Sequence, residues 1–336
     1  MPESNQKYKN ILQDLTKDIS TTFKIPISNA AKDLIKKSTR IFVTGSGSSY
    51  PAAFFAAKYI NKYSGGSVIL ANSSDILDSQ SLTETDLIIL VSQGWGRADG
   101  YLITKKAIQK NCNLIALTGH PERLQTHYPE ANKNKIIPLE IKPNDEKIFC
   151  RPNSPLTSLI QICRLLEIEI SQAKILEIIE NVKKISFSNY VSQLLKFKSI
   201  VILSSSTSLT ACYNVALALR EGSGRNTEVH EIESYGHGWY TIDQENRTST
   251  LYILIKHQGH THSLEAYERI QSLIKNTNSN YLDLVTDLDE IYGNIYVLAF
   301  FAHLIPLLND MTDFDMNNPK GMEENRVFHE IYNENK

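Results

Sequence analysis

The fold turns on Ile41-Phe42-Val43-Thr44-Gly45-Ser46-Gly47-Ser48-Ser49-Tyr50. An apolar, β-branched run stops at glycine and serine, and an alanine-rich helical pattern takes over across residues 52–57. The layout returns at Leu87-Ile88-Ile89-Leu90-Val91-Ser92-Gln93-Gly94-Trp95-Gly96-Arg97-Ala98-Asp99. Each stretch predicts a strand, a tight turn and the start of a helix. Such a turn aims backbone N–H groups and the positive end of a helix at whatever lies beyond the strand, which suits phosphate or another anion. Two of these units in one sheet predict a pocket for a small anionic molecule.

The chain also repeats itself over a longer distance. Arg40-Ile41-Phe42-Val43 and its turn are matched by Ser199-Ile200-Val201-Ile202-Leu203, then Ser204-Ser205-Ser206-Thr207-Ser208, then another alanine-rich helix over residues 211–220. Residues 86–91 match residues 250–255, a third strand follows in each half (114–117 and 281–285), and an apolar helix closes each (156–170 and 295–308). Strands alternating with helices of this length mean βαβ units and mostly parallel sheets. The predicted fold class is α/β, with two copies of one doubly wound domain. The boundary is expected near residue 180, giving domains 1–180 and 181–336, with residues 1–38 as a helical lead-in to the first. The stretch 142–155, which holds Pro143, Pro152 and Pro155, is expected to join the first sheet to its closing helix.

Composition narrows the function classes. At 336 residues, 41% hydrophobic and 21% charged, the chain can bury a sizeable core, and wholesale disorder is excluded. The net charge is −2 and no Lys/Arg tract is interleaved with aromatics, which argues against a nucleic-acid partner. No apolar run is expected to reach the length of a membrane span, and the polar start Met1-Pro2-Glu3-Ser4-Asn5 lacks a signal-peptide core. Cys112, Cys150, Cys163 and Cys212 are scattered, with no Cys-x-x-Cys, and read as reduced thiols of a cytoplasmic protein. There is no Walker loop, and Gly45-x-Gly47 lacks the rest of a dinucleotide fingerprint, so no cofactor is expected.

Along nearly its whole length the sequence resembles the double sugar-isomerase (SIS) domain family, in particular the isomerase half of glucosamine-6-phosphate synthase and its deglycase and deaminase relatives. Ser46-Gly47-Ser48-Ser49 resembles that family's Cys-Gly-Thr-Ser motif. The stretch from Ser92 to Asp99 resembles its Ser-Gln-Ser-Gly-Glu-Thr-Ala-Asp phosphate loop. Leu217-Ala218-Leu219-Arg220-Glu221 resembles the motif that ends in the catalytic glutamate, and His237-Gly238 stands sixteen residues on, the family spacing of the ring-opening histidine. Several positions depart from the pattern. Gly94 and Arg97 replace a serine and a threonine of the phosphate loop, and Glu324 falls where the family has an active-site lysine. An acceptor cannot replace a donor that stabilises developing negative charge.

The resemblance implies tandem flavodoxin-like SIS domains with parallel sheets, arranged as a homodimer with the pocket near the interface. It also implies a sugar-phosphate ligand. Gly45, Ser46, Gly47, Ser48, Ser49, Ser92, Gln93, Trp95 and Arg97 would hold that ligand, Glu221 would move the proton and His237 would open the ring. The chemistry would be aldose–ketose isomerisation, or aminosugar-phosphate deamination or deglycation, through an enediol or enediolamine. Without a glutaminase domain or an N-terminal cysteine nucleophile, the chain is not expected to draw ammonia from glutamine by itself. Two alternatives stay open: a non-catalytic sugar-phosphate sensor or regulatory subunit, and a SIS enzyme for a non-phosphorylated acidic or amine-conjugated sugar.

Read on their own, these residues carry a second, plainer meaning. Serines in such turns also cap helices, which is compatible with ligand contact. Arg97 sits where helix N-termini prefer acids, and its planar fork suits phosphate or carboxylate. Trp95, between two glycines, suits stacking on a flat ligand or filling a crevice. Glu221 lies at a helix C-terminus, where an acid is slightly unfavourable. His237, boxed by glycines, suits proton transfer near neutral pH or simple exposure to solvent. Glu228, Glu231 and Glu233 read as an acidic approach to it, or as the solvated face of a loop and helix. His257, His260 and His262 with Glu265 lack a standard zinc spacing and read as a polar loop.

Overall fold

The computed structural model describes residues 3–63, 66–93, 98–128, 135–141, 148, 150–205, 208–239, 248–257, 261–312 and 314–316, without the side chains of 98–99, 238–239 and 261–264. Three helices, α1 (Glu3–Gln13), α2 (Leu15–Thr22) and α3 (Asn29–Lys37), precede the first strand, as the lead-in predicts. The Ser28 hydroxyl caps α3 by accepting from the Ala31 N–H, and Lys36 and Lys37 complement the dipole at its other end.

The first sheet then builds from β1 (Arg40–Gly45), α4 (Tyr50–Tyr63), β2 (Ser67–Leu70), α5 (Ser73–Asp78), β3 (Leu87–Val91), α6 (Ala98–Gln109), β4 (Asn113–Thr118), α7 (Pro121–His127) and β5 (Ile136–Glu140). Its strand order is β2-β1-β3-β4-β5, all parallel. After α8 (Ser154–Leu165), α9 (Gln172–Lys183) and α10 (Ser188–Lys196), the second sheet follows: β6 (Ser199–Ser204), α11 (Leu209–Ser223), β7 (Asn226–Glu231), the single turn α12 (Ile232–Ser234), β8 (Thr250–His257), α13 (Thr261–Asn276), β9 (Asn280–Thr286) and α14 (Glu290–Asp310). Its order is β7-β6-β8-β9, again all parallel. The α/β class and the two doubly wound parallel sheets expected from the repeat are present.

The central strands read as unbroken apolar runs because helices cover both their faces; every residue of β3 is buried. The edge strands β2 and β7 are partly exposed, β7 is mostly polar, and the sequence reading passed both over. Glu228 and Glu231 therefore stand on β7 rather than on a loop, and only Glu233 lies in the following turn. An edge strand exposes one margin and much of one face, so its acidic residues looked like a solvated loop.

Two further expectations are corrected. The helix predicted over 156–170 ends at Leu165. Glu167 takes a positive φ of 56°, and the Ile168 N–H turns back to the Cys163 carbonyl at 2.9 Å, closing the helix. One apolar run does reach membrane-span length: α14 is 21 residues long and apolar enough by composition. It serves as a core helix, since 78% of that stretch is buried within the protein. The Asp289 side chain starts it by accepting from the N–H groups of Ile291 and Tyr292.

The described residues form two compact units. One draws on residues 15–146 and 154–172 and holds the five-stranded sheet. The other draws on residues 1–14, 147–153 and 173–319 and holds the four-stranded sheet. In the second, α1 packs on α14 and buries Tyr8 and Leu12. Asn5 donates to the Pro306 carbonyl at 3.1 Å and to Asp310 at 2.7 Å, and Lys9 pairs with Asp310 at 2.8 Å. All four cysteines are buried, and none forms a disulfide.

Candidate functional site

In the five-stranded sheet the chain order reverses between β1 and β3. Ligands of open α/β sheets sit beyond the carboxyl ends of the strands at such a switch point. The two glycine/serine stretches predicted to hold an anion follow these two strands.

Gly45 ends β1 opposite Val91. A Cβ there would lie 2.8 Å from the Ser49 carbonyl oxygen and 3.1 Å from that of Val91, so glycine lets the turn fold back onto its own strand. Ser46 is extended, Gly47 takes a left-handed φ of 54°, and residues 47–49 form one 3₁₀ turn before α4. A left-handed residue beside right-handed ones gathers N–H groups into an anion-binding nest. Ser46 and Gly47 are exposed and Ser48 half-buried, so this part of the turn is open to a ligand.

Ser49 and Gln93 face inward instead, each only 6% exposed. The Gln93 N–H points to the Ser49 hydroxyl at 3.5 Å, its side-chain amide donates to the Ser158 hydroxyl at 3.1 Å, and its carbonyl accepts from the Gly119 N–H at 3.1 Å. The half-buried Ser92 donates its N–H to the Leu117 carbonyl at 2.9 Å. The start of the second loop is thus anchored on the first turn, on α8 and on the segment after β4. Trp95 and Arg97 lie outside the described residues, as do Gly94 and Gly96.

Sequence reading did not single out Ser158. Its signal was present: Ser154, Thr157, Ser158 and Gln161 put four buried polar side chains on the helix read as plainly apolar. Buried polar groups need hydrogen-bond partners, so such a helix is holding something.

Glu221 and His237 belong to the other unit. Glu221 is half-buried in the last turn of α11, three residues before Gly224, which takes a left-handed φ of 64° and ends the helix. That end is tightly seated. A Cβ on Gly222 would lie 2.7 Å from Ile305 and 3.2 Å from the Cys150 sulfur, and one on Gly224 would lie 2.7 Å from the Phe314 ring. Arg220 ties the same turn to β7 by donating to the Thr227 carbonyl at 3.0 Å. His237 is exposed in a π-helical turn, Tyr235–Trp239. Glu228 reaches the His230 ring at 3.3 Å, so this acid has a neighbour on its own strand. His257 ends β8, buried against Gly293, while His260 and the side chain of His262 lie outside the description.

Residues 34–126, from α3 through α7, match the SIS domain family model. No curated protein matches the sequence. Among solved structures, the tagatose-6-phosphate ketose/aldose isomerase of Escherichia coli is similar with a TM-score of 0.71 at 13% identity, over 94% of this chain and 98% of that one. Glucosamine-6-phosphate deaminase of Thermotoga maritima gives 0.66 at 17% identity, over 94% and 97%. The C-terminal domain of glucosamine-fructose-6-phosphate aminotransferase from Francisella tularensis gives 0.69 at 15% identity, over 90% and 96%. At these identities the likeness is one of fold, and it spans almost the whole of each chain. The match to the SIS domain model thus spans the first switch point, and the likeness of fold extends over almost the whole chain.

Proposed function

We propose that the protein binds a sugar phosphate at the first switch point and interconverts it, by aldose–ketose isomerisation or by loss of an amine, through an enediol or enediolamine. The observation that carries this reading is the open turn at Ser46, Gly47 and Ser48, set at the end of β1 inside the SIS match. The three similar structures, a ketose/aldose isomerase, a deaminase and an aminotransferase domain, support chemistry at adjacent sugar carbons.

In this reading the turn amides with Ser46, Ser48, Ser92 and Arg97 hold the phosphate, and Trp95 lies against the sugar. Glu221 takes the proton from one carbon of the C1–C2 pair and returns it to the other. His237 passes the proton that opens the ring, imidazole being a side chain suited to proton transfer near neutral pH. The protein acts as a homodimer in the cytoplasm, with two SIS domains divided near residue 180.

A second reading has its own motive. Gly94, Arg97 and Glu324 remove hydroxyls and a cation from the pattern that the family uses. A sensor that kept the pocket and lost turnover would carry such changes, and so would an enzyme for a non-phosphorylated acid, which Arg97 suits equally.

The test combines a thermal-shift screen of hexose 6-phosphates, their 2-amino forms and phosphate-free counterparts with NMR of the C1 and C2 hydrogens in D2O. A ligand that binds only the folded state raises the melting temperature. The expected result is a shift with a phosphosugar alone, exchange of its C1 or C2 hydrogen, and loss of that exchange by at least about 10²-fold in Glu221→Gln with binding retained. Binding without exchange in the unaltered protein selects the sensor. A shift only with unphosphorylated acids removes phosphate from the account.

A further inference from the structure

We infer that Ser158, a residue of the closing helix outside both glycine/serine motifs, is a positioning residue for the anion pocket, and that Gln93 is the strut through which it acts rather than a ligand contact. The inference deepens the sugar-phosphate reading and rests on it for the meaning of the pocket.

The geometry is direct. Ser158 is 1% exposed in the middle of α8, and its hydroxyl accepts from the Gln93 side-chain amide at 3.1 Å. Gln93 is the second residue of the loop that follows β3, and its backbone meets Ser49 on one side and Gly119 on the other. Four segments therefore converge on one buried residue: the β1 turn, the β3 loop, the segment after β4, and α8. The side-chain amide reaches across to a helix, and so it helps set how far the β3 loop stands from α8. A buried amide that loses its acceptor must find another or shift, and a shift at Gln93 moves Ser92 with it. Ser92 then loses its fixed spacing to Ser46 and Ser48. An anion held by several groups at once is sensitive to such spacing, because each imperfectly met donor keeps a desolvation cost.

The test uses the full chain with Ser158→Ala, Gln93→Ala, the double variant, and Thr157→Ala as a control. Thr157 is a buried hydroxyl one position away whose bond stays inside α8, to the Ser154 carbonyl at 3.2 Å. Two measurements are made on each: calorimetric affinity for fructose 6-phosphate, glucosamine 6-phosphate and inorganic phosphate, and amide hydrogen exchange of peptides covering residues 88–97. The expected result is an affinity loss of about fivefold in Ser158→Ala and in Gln93→Ala, and no further loss in the double variant. Exchange over 88–97 speeds up in the same variants, and Thr157→Ala leaves both measurements as in the unaltered chain. Affinity unchanged in Ser158→Ala overturns the inference, as do additive losses or an equal loss in Thr157→Ala. If the unaltered chain binds none of the three probes, the sugar-phosphate reading fails. Exchange alone then judges whether Ser158 fixes the loop, and unchanged rates in Ser158→Ala overturn that too. Should Ser158→Ala not fold, Gln93→Ala carries both measurements, since it removes the same bond from the other end.

Discussion

At the scale of single residues, the two halves solve one geometric problem in two ways. Gly45 and Ser204 both end the first strand of their sheet, opposite Val91 and Ile255. In the first half the neighbouring carbonyls leave no room for a Cβ. In the second a serine fits, and its hydroxyl donates to the Ile255 carbonyl at 2.8 Å. The first turn folds tightly over its strand, and its glycine is a requirement of space rather than of φ. Gly45→Ala is expected to cost about 1–3 kcal/mol, because the atoms it meets are backbone that cannot swing aside. The loss should appear in urea unfolding together with weaker phosphosugar binding. A variant of unchanged stability would mean that the turn relaxes freely. Glycine and serine at this turn were legible from the sequence. That Ser49 and Gln93 point inward was not, because turn polarity looks the same whether a hydroxyl meets a ligand or a buried amide.

At the scale of elements, the registry of β1 on β3 is fastened by charge. Arg40 opens β1 and binds Asp86, just before β3, through Nε at 2.7 Å and through Nη2. The Thr83 N–H and hydroxyl also donate to the same carboxylate. Burial alone would raise the pKa of Asp86, but the bonds from Arg40 and then Thr83 outweigh it and hold the carboxyl below its ordinary value of 3.8. A depressed folded-state pKa adds stability that is complete above the unfolded value and is lost as pH falls through the folded one. Asp86→Asn should therefore cost about 1–3 kcal/mol at pH 7 and progressively less as the pH falls below the ordinary carboxyl value, read from melting temperatures at neutral and at acid pH. An equal cost at both pH values would remove the ion pair from the explanation. The central strands and long helices were readable because burial on both faces leaves continuous apolar runs. The edge strands β2, β5 and β7 escaped notice for different reasons: β2 is only four residues long, Pro138 interrupts β5, and β7 is mostly polar.

At the scale of the molecule, the two compact units do not follow the order of the chain. Residues 1–14 and 147–153 are grouped with the four-stranded sheet, though both precede its first strand. Tyr8, at 1% exposure, is among the largest fully buried side chains. Tyr8→Ala is expected to cost about 3–5 kcal/mol. In native-state hydrogen exchange the lost protection should fall on β8 and α14, with β3 spared. Loss centred on β3 would place the first helix in the wrong unit.

By itself the sequence determined the class of fold, the parallel sheets, the repeat and the glycine/serine turn after the first strand. Each of these follows from local patterns: apolar runs of strand length, glycine where a turn must close, and alternation of strand with helix. Only the tertiary structure decided which helix covers which sheet, where the edge strands lie, and which polar residues of the turns face outward. Those outcomes depend on contacts between residues far apart in the chain. Ser158 with Gln93, Tyr8 with α14, and Cys150 with Gly222 meet because packing brings them together, and nothing in their local sequence marks the meeting.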